Sequence, residues 1–285
     1  MRPKRDILAE VERAAQDGHR EIQLLGQIVN HYQAPDDGAC DFAALLEAVH
    51  GIDGVERIRF ASPHPRHVPQ RLINAVRDLP KVCKHFHLPV QSGSSRVLQL
   101  MRRRYSRESY LDLVDKLRDE IPGITLSTDV IVGFPGETDA DFDETLSLTS
   151  LVRYESMFSF KYSPRPNTLA LQRYPETVDD AEKTRRIVAL QSLQKGIQLE
   201  IHEAMIGSEV DVLVDTISRR REHELSGRTL GNTVVSFPGP SEWWGSTVRV
   251  TVGKAGPYSV NGDVAGLDAA VPPALSELDS VRSEA

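Results

Sequence analysis

The stretch at residues 126–138, LSTDVIVGFPGET, constrains the fold more than any other part of this 285-residue chain. Val130, Ile131 and Val132 form an unbroken β-branched run, the pattern of a strand covered on both faces. Gly133 and Gly136 follow at once and let the backbone turn sharply and approach a ligand. Thr138 precedes Asp141 by three residues, which predicts a helix N-cap. A strand end, a glycine turn and a helix start in succession are where α/β proteins place cofactors.

The surrounding chain repeats that unit. Helical stripes at Ile7, Leu8 and Val11, at Leu45, Leu46 and Val49, at Leu72, Ile73 and Val76, and at Tyr110, Val114 and Leu117 alternate with short apolar runs at residues 21–26, 57–60, 85–90 and 157–162. Alternating strands and helices imply a parallel sheet, curved or barrel-like, with its loops gathered at the strand C-terminal ends. Gln27, Ser62, His64, Gln91, Ser92 and residues 133–137 then surround one cleft. One long helix is expected from about residue 175 to 205, ended by Gly207. Five short strands between residues 209 and 264, separated by Gly, Asn and Pro turns, predict a small β-barrel. The expected division is 1–205 for the α/β part, 206–268 for the β-barrel and 269–285 for a polar, disordered tail.

The formal net charge of −7 makes the chain as a whole a poor nucleic-acid magnet, but Arg102, Arg103 and Arg104, and again Arg219, Arg220 and Arg221, are local basic runs suited to phosphate. No apolar run reaches membrane-spanning length and no signal peptide is recognisable, so the expected compartment is the cytoplasm. Cys40 and Cys83 are the only cysteines and have no CxxC spacing. That pattern disfavours a disulfide framework and a self-contained zinc or iron–sulfur site. His85 and His87 alternate like a metal pair, yet hydrogen bonding inside the barrel explains them better.

Several segments resemble the radical-SAM methylthiotransferases, in particular those that modify tRNA. They are LLGQIVN (24–30), RIRFASPHP (57–65), HLPVQSGS (87–94), DVIVGFPGET (129–138), FSFKYSPRPNT (158–168) and LSGRT (225–229) with Val234 and Phe237. Together they run in order over roughly residues 2 to 265. The resemblance implies an α/β partial (β/α)₆ radical-SAM barrel missing its first strand, followed by a small all-β TRAM barrel that binds RNA. It implies S-adenosylmethionine and 4Fe-4S clusters as cofactors, tRNA as partner, and 2-methylthiolation of an N6-isopentenylated adenosine beside the anticodon. The family's CxxxCxxC loop and cysteine-bearing N-terminal domain have no counterpart in this sequence. A start placed inside a longer gene, or a trimmed fragment, is therefore expected, and the sequence as it stands is expected to be catalytically incomplete, with an uncovered sheet edge.

Within that resemblance, the expected cofactor contacts are Gln27, Asn30, Ser62, His64, Gln91, Ser92, Asp129, Gly133, Phe134 and Gly136. Gln91 and Ser92 suit ribose hydroxyls, and Phe134 suits adenine. Arg165 is the expected phosphate or carboxylate clamp at the barrel mouth, and Arg219, Arg220, Arg221 and Arg228 are the expected RNA contacts. Trp243 and Trp244 either stack on bases or close the small barrel. Two other readings stay open: a ribosomal-protein methylthiotransferase of the same superfamily, and a non-catalytic RNA-binding protein.

Overall fold

The computed structural model describes residues 1–166, 173–174, 177–218 and 224–265. The chain divides into two compact units, Met1–Gln198 and Leu199–Ala285. The division falls a few residues before the expected boundary at 205, and the expected tail lies outside the described residues.

The first unit is a sheet of parallel strands joined by helices. Strands β1 (Glu21–Leu24), β2 (Arg57–Phe60), β3 (His85–His87), β4 (Thr125–Val132) and β5 (Ser156–Lys161) lie side by side in chain order. β1 pairs with β2, and β3 with β4 and β4 with β5, all in parallel. A parallel bridge between Ile58 and Val82 joins the two groups. Such neighbours need crossovers, here α2 (Phe42–His50), α3 (Gln70–Asp78), α4 (Ser95–Leu100) with α5 (Arg107–Glu120), and α6 (Asp139–Val152). α1 (Lys4–Gln16) precedes β1, and among the described residues β1 has no strand partner on its other edge.

Two helix starts are written in the sequence and form as written. The Ser106 hydroxyl accepts the Ser109 N–H, and the Ser109 hydroxyl accepts that of Ser106. At α6 the pair is Thr138 and Asp141, the cap expected from the opening motif. α4 is not evident in the sequence. It is six residues long, too short to show a period.

The core lies between sheet and helices. Phe42, Phe60 and Phe86 stack edge to face at 5.3 and 5.1 Å. The buried Tyr154 hydroxyl donates to that of Tyr110, which donates to the Leu88 carbonyl at 2.8 Å. The other sheet face is mixed, with charged and polar side chains beside Ile131 and the exposed Phe158 and Phe160. Arg59 pairs with Glu21 at 2.9 Å, and His85 and His87 both meet the Ser127 hydroxyl at 2.9 Å. The expectation of β4 covered equally on both faces is therefore corrected. Leu126, Thr128, Val130 and Val132 are buried, while Asp129 and Ile131 on the mixed face are only half-buried. The β-branched run hides this, because Ile131 has an apolar side chain at a position on the mixed face.

The long helix α7 (Asp180–Glu203) carries the chain into the second unit. Strands β6 (Glu209–Ile217), β7 (Glu224–Arg228), β8 (Val234–Pro238), β9 (Thr247–Ala255) and β10 (Val260–Val264) close into a barrel in the order β10-β8-β7-β6-β9. Val212, Val214, Leu225, Val235, Phe237, Val250, Val252 and Val260 fill it. At Gly227 the two backbones come so close that a Cβ would lie 2.0 Å from the Leu213 carbonyl oxygen. The β6–β7 register shifts between Val214 and Thr216, so the glycine sits opposite a bulge.

Candidate functional site

The β2 loop is clamped to the β1 loop. The Asn30 side-chain amide donates to the carbonyls of His64 and His67, and its carbonyl accepts the His64 N–H at 2.9 Å. Asn30 is 8% exposed and its carboxamide is committed to this clamp, so it positions the loop. Gln27 is exposed and lines a cavity of about 830 Å³ that runs along α1 and β1. Ser62 is exposed and has a left-handed backbone, φ 61°. His64 sits 5.5 Å from the Tyr105 ring and 5.6 Å from that of His67. Burial, with the charges of His67 and Arg103 nearby, lowers the His64 pKa from its ordinary value, which keeps the ring neutral at pH 7.

Gln91 has φ 71°, and its backbone is held by Asp129 and Ile131 of β4 at 2.8 and 2.9 Å. Non-glycine residues in this region store strain that their surroundings must enforce, and Ser62 and Gln91 both stand just beyond a strand end. Ser92 is fully buried, and its hydroxyl accepts the Ser94 N–H, so it shapes the loop from within. The loop is anchored on α6, where the Gly93 N–H donates to the Thr145 hydroxyl and the Ser94 hydroxyl to Asp141 at 2.6 Å. Burial works to raise the Asp141 pKa, but hydrogen bonds from Arg96, Ser94 and Thr138 hold it well below the carboxylate range. Asp129 remains half-buried, with one carboxylate oxygen 3.4 Å from His87 Nε2.

The glycine loop after β4 is packed from behind by α7. Gly133 has φ 72°, and a Cβ there would lie 2.4 Å from Lys183 Cγ. The close approach this glycine permits is thus to the Lys183 stem. Its N–H donates to Glu137 Oε2 at 2.6 Å, and Arg186 donates to the same oxygen at 2.8 Å. The Glu137 side chain is 1% exposed and that of Arg186 4%. Gly136 has φ 84°, and its N–H donates to the Thr177 hydroxyl. Phe134 is buried and packs edge-on against Tyr162 at 5.1 Å and near Tyr174 at 6.2 Å. It forms the floor of a cavity of about 280 Å³, not an open platform. Arg165 is exposed just beyond β5.

The structure therefore places Ser62, His64, Gln91, Phe134 and Arg165 in the loops that follow strands and Asp129 within β4, and gives Asn30, Ser92, Gly133 and Gly136 work inside the loops. Sequence reading missed Tyr105, Lys183 and Arg186, and with Arg186 the partner of Glu137. Glu137 and Arg186 are 49 residues apart, and no local pattern links them.

The two thiols are core groups. Cys40 is 1% exposed and Cys83 2%. Burial raises both pKa values, that of Cys83 to about 11. Cluster ligation needs closely spaced thiolates, so this donor set does not fit an iron–sulfur cluster. Polar side chains at the strand ends, above a sheet face that mixes polar groups with Ile131, Phe158 and Phe160, do fit an adenosyl cofactor.

In the second unit Arg228 lies 3.7 Å from Asp215 and donates to Asn232. Trp243 packs on the barrel core, while Trp244 is 59% exposed with its indole N–H on the Asp215 carbonyl. Arg219, Arg220 and Arg221 lie outside the described residues. No helix among the described residues is long and apolar enough to cross a membrane.

The family model described as the Radical SAM superfamily matches residues 1–149, and that of the TRAM domain residues 203–265. Curated relatives include tRNA-2-methylthio-N(6)-dimethylallyladenosine synthases. That of Thermoanaerobacter pseudethanolicus is 44% identical over 263 residues, 92% of this chain and 56% of the relative. That of Thiobacillus denitrificans is 45% identical over 269 residues, 94% of this chain and 60% of the relative. The chain thus spans somewhat over half the length of the relatives it matches. Among solved structures, coproporphyrinogen III oxidase from Escherichia coli aligns with TM-score 0.48 at 15% identity, over 68% of this chain and 46% of that one.

Proposed function

The chain belongs to the Radical SAM superfamily and carries a TRAM domain, and from that membership we propose that it supplies the S-adenosylmethionine cradle and RNA-binding barrel of a cytoplasmic tRNA methylthiotransferase. The proposed reaction is 2-methylthiolation of an N6-dimethylallyl (isopentenyl) adenosine in tRNA. The observation that carries this reading is the 44% identity to such synthases over 92% of the chain, spanning both the strand-end site and the small barrel.

When bound, S-adenosylmethionine supplies the adenosyl and sulfonium groups of the reaction. In this reading Ser62, Gln91 and Asp129 offer hydroxyl, amide and carboxylate to its ribose and amino-acid parts. Asn30 and Ser92 hold the loops that present them. His64, neutral at pH 7, offers a hydrogen bond without adding charge beside the sulfonium. Phe134 and the Gly133 loop close one wall, fixed from behind by Lys183 and Arg186. Reductive cleavage of the cofactor requires a cluster that the two buried thiols do not fit, so no such step is assigned to this chain's residues.

Isothermal titration tests the reading. S-adenosylhomocysteine, a stable analogue of the cofactor, is expected to bind at one site. Unmodified tRNA is expected to bind with an affinity that falls steeply between low and high salt, through displacement of counterions by Arg228 and its basic neighbours. Absence of analogue binding, or salt-independent tRNA binding, contradicts it.

A further inference from the structure

Two histidines with no part in the strand-end site are held ring to ring by the clamp that joins the first two loops. His31 ends a 3₁₀ turn after β1, Val29–His31, and His67 ends another after β2, Pro65–His67. Their ring centroids lie 4.8 Å apart, with the planes tilted by 34°. The backbone that carries them is fixed. Asn30, next to His31, donates to the His67 carbonyl, and the Val29 N–H donates to the Ser62 carbonyl at 3.4 Å. The His67 N–H closes its own turn on the His64 carbonyl at 2.9 Å. Among the described residues, no hydrogen bond or ion pair reaches either ring. That sets the pair apart from the other close histidines. His85 and His87 are committed to the Ser127 hydroxyl, and His64 Nδ1 accepts the Arg66 N–H at 3.2 Å.

We propose that His31 and His67 form a two-histidine chelate for a divalent transition cation of the zinc and copper class, which braces the β1 loop against the β2 loop. Two imidazole nitrogens about 2.0–2.1 Å from one metal ion, at about 90–110° to each other, place their ring centroids about 4.5–5.2 Å apart, and this pair stands within that range. The χ2 torsion of histidine is broad, so rotation of each ring aims a nitrogen at a shared point without moving the backbone. His31 is exposed and lines the cavity of about 830 Å³ along α1 and β1, which gives the ion a way in and its water ligands a place. His67 is half-buried. Burial, then the charges of His31 and Arg66, lower its pKa, which leaves the ring at pH 7 in the neutral form that binds metal. Ligand type selects the ion, because imidazole suits zinc and copper whereas magnesium and calcium take oxygen. Among the described residues, no group of three or more His, Cys, Asp or Glu is arranged to hold a metal, so the remaining positions go to water. Ferrous iron stands low in the divalent affinity order, and two neutral imidazoles do not retain it through desalting. The proposal does not depend on what the strand-end site binds.

The test is calorimetry on the untagged full chain with zinc, magnesium and calcium chlorides. Zinc is expected to bind at one site and to raise the thermal midpoint, while magnesium and calcium give no heat. His31→Ala and, separately, His67→Gln should each weaken zinc by at least the roughly 10–100-fold that loss of an outer-shell partner costs. His85→Gln should leave the zinc isotherm unchanged. Zinc affinity should fall from pH 7.5 to pH 5.5, because protons compete for the imidazoles. Gln at position 67 keeps the backbone carbonyl that Asn30 holds, and unchanged metal-free thermal midpoints will show that the variants fold. The electron paramagnetic resonance spectrum of the wild-type chain with one equivalent of copper(II) reads the ligand set without any variant, and hyperfine splitting from two imidazole nitrogens is expected. Absence of zinc binding by the wild-type chain overturns the proposal. So does an isotherm that survives either substitution, one lost with His85→Gln instead, an affinity that does not fall with pH, or a copper spectrum showing fewer than two imidazoles.

Discussion

Arg186→Ala is expected to destabilise the first unit by about 3–5 kcal/mol, the range for removing one partner of a buried ion pair. The Glu137 side chain is 1% exposed, and its Oε1 is buried without a hydrogen-bond partner among the described residues. Without Arg186 the carboxylate keeps only the Gly133 N–H. Arg186 also ties Glu182 and Asp139 to the same corner, at 2.7 and 2.9 Å. The loss carries a pH signature. Burial already raises the Glu137 pKa above its ordinary value, and removing the guanidinium raises it further. A carboxyl raised in the folded state contributes its full stability below its unfolded pKa and loses it as pH rises through the folded one. The deficit of the variant should therefore be largest near neutrality and shrink as pH falls towards the ordinary glutamate range. Urea unfolding at pH 5 and pH 7.5 measures it. An equal deficit at both pH values would mean that packing, not the stranded charge, sets the cost. Because the pair backs the Gly133 loop, S-adenosylhomocysteine affinity should fall as well.

Gly227→Ala is the second large effect. The added methyl would meet the Leu213 carbonyl oxygen at 2.0 Å and Val212 Cγ1 at 2.9 Å. The first is a backbone atom and cannot move without opening the β6–β7 pair. Overpacking costs about 1–3 kcal/mol, occasionally more. In a barrel whose buried core is nine side chains among the described residues, the upper end or outright unfolding is expected. The second unit should lose its cooperative transition and tRNA affinity, while S-adenosylhomocysteine binding by the first unit persists. Undiminished tRNA affinity in a chain whose barrel has melted would remove the barrel from the RNA interface.

The strand–loop–helix unit at residues 126–138 was legible because its apolar run, its glycines and its cap are all local. The five strands of the second unit were legible for the same reason, their turns being marked by Gly, Asn and Pro. What the sequence hid is long-range. Gly133 reads as a ligand contact, yet the atom it admits belongs to Lys183, fifty residues on. Asn30 reads as a cofactor contact, and the structure gives its carboxamide to the His64 loop. Phe134 reads as a platform, and burial under two tyrosines makes it a floor. Each difference comes from packing between elements distant in sequence, which neither period nor composition encodes.

The central claim is that this chain forms an adenosyl cradle whose own thiols do not complete a radical-SAM centre. The most direct measurement is anaerobic incubation with iron and sulfide, followed by iron analysis, visible absorption and calorimetry with S-adenosylhomocysteine. The account predicts no stoichiometric iron, no cluster absorption and an unchanged affinity for S-adenosylhomocysteine. A stoichiometric cluster on this 285-residue chain would contradict it, since Cys40 and Cys83 would then have to leave the core to hold it.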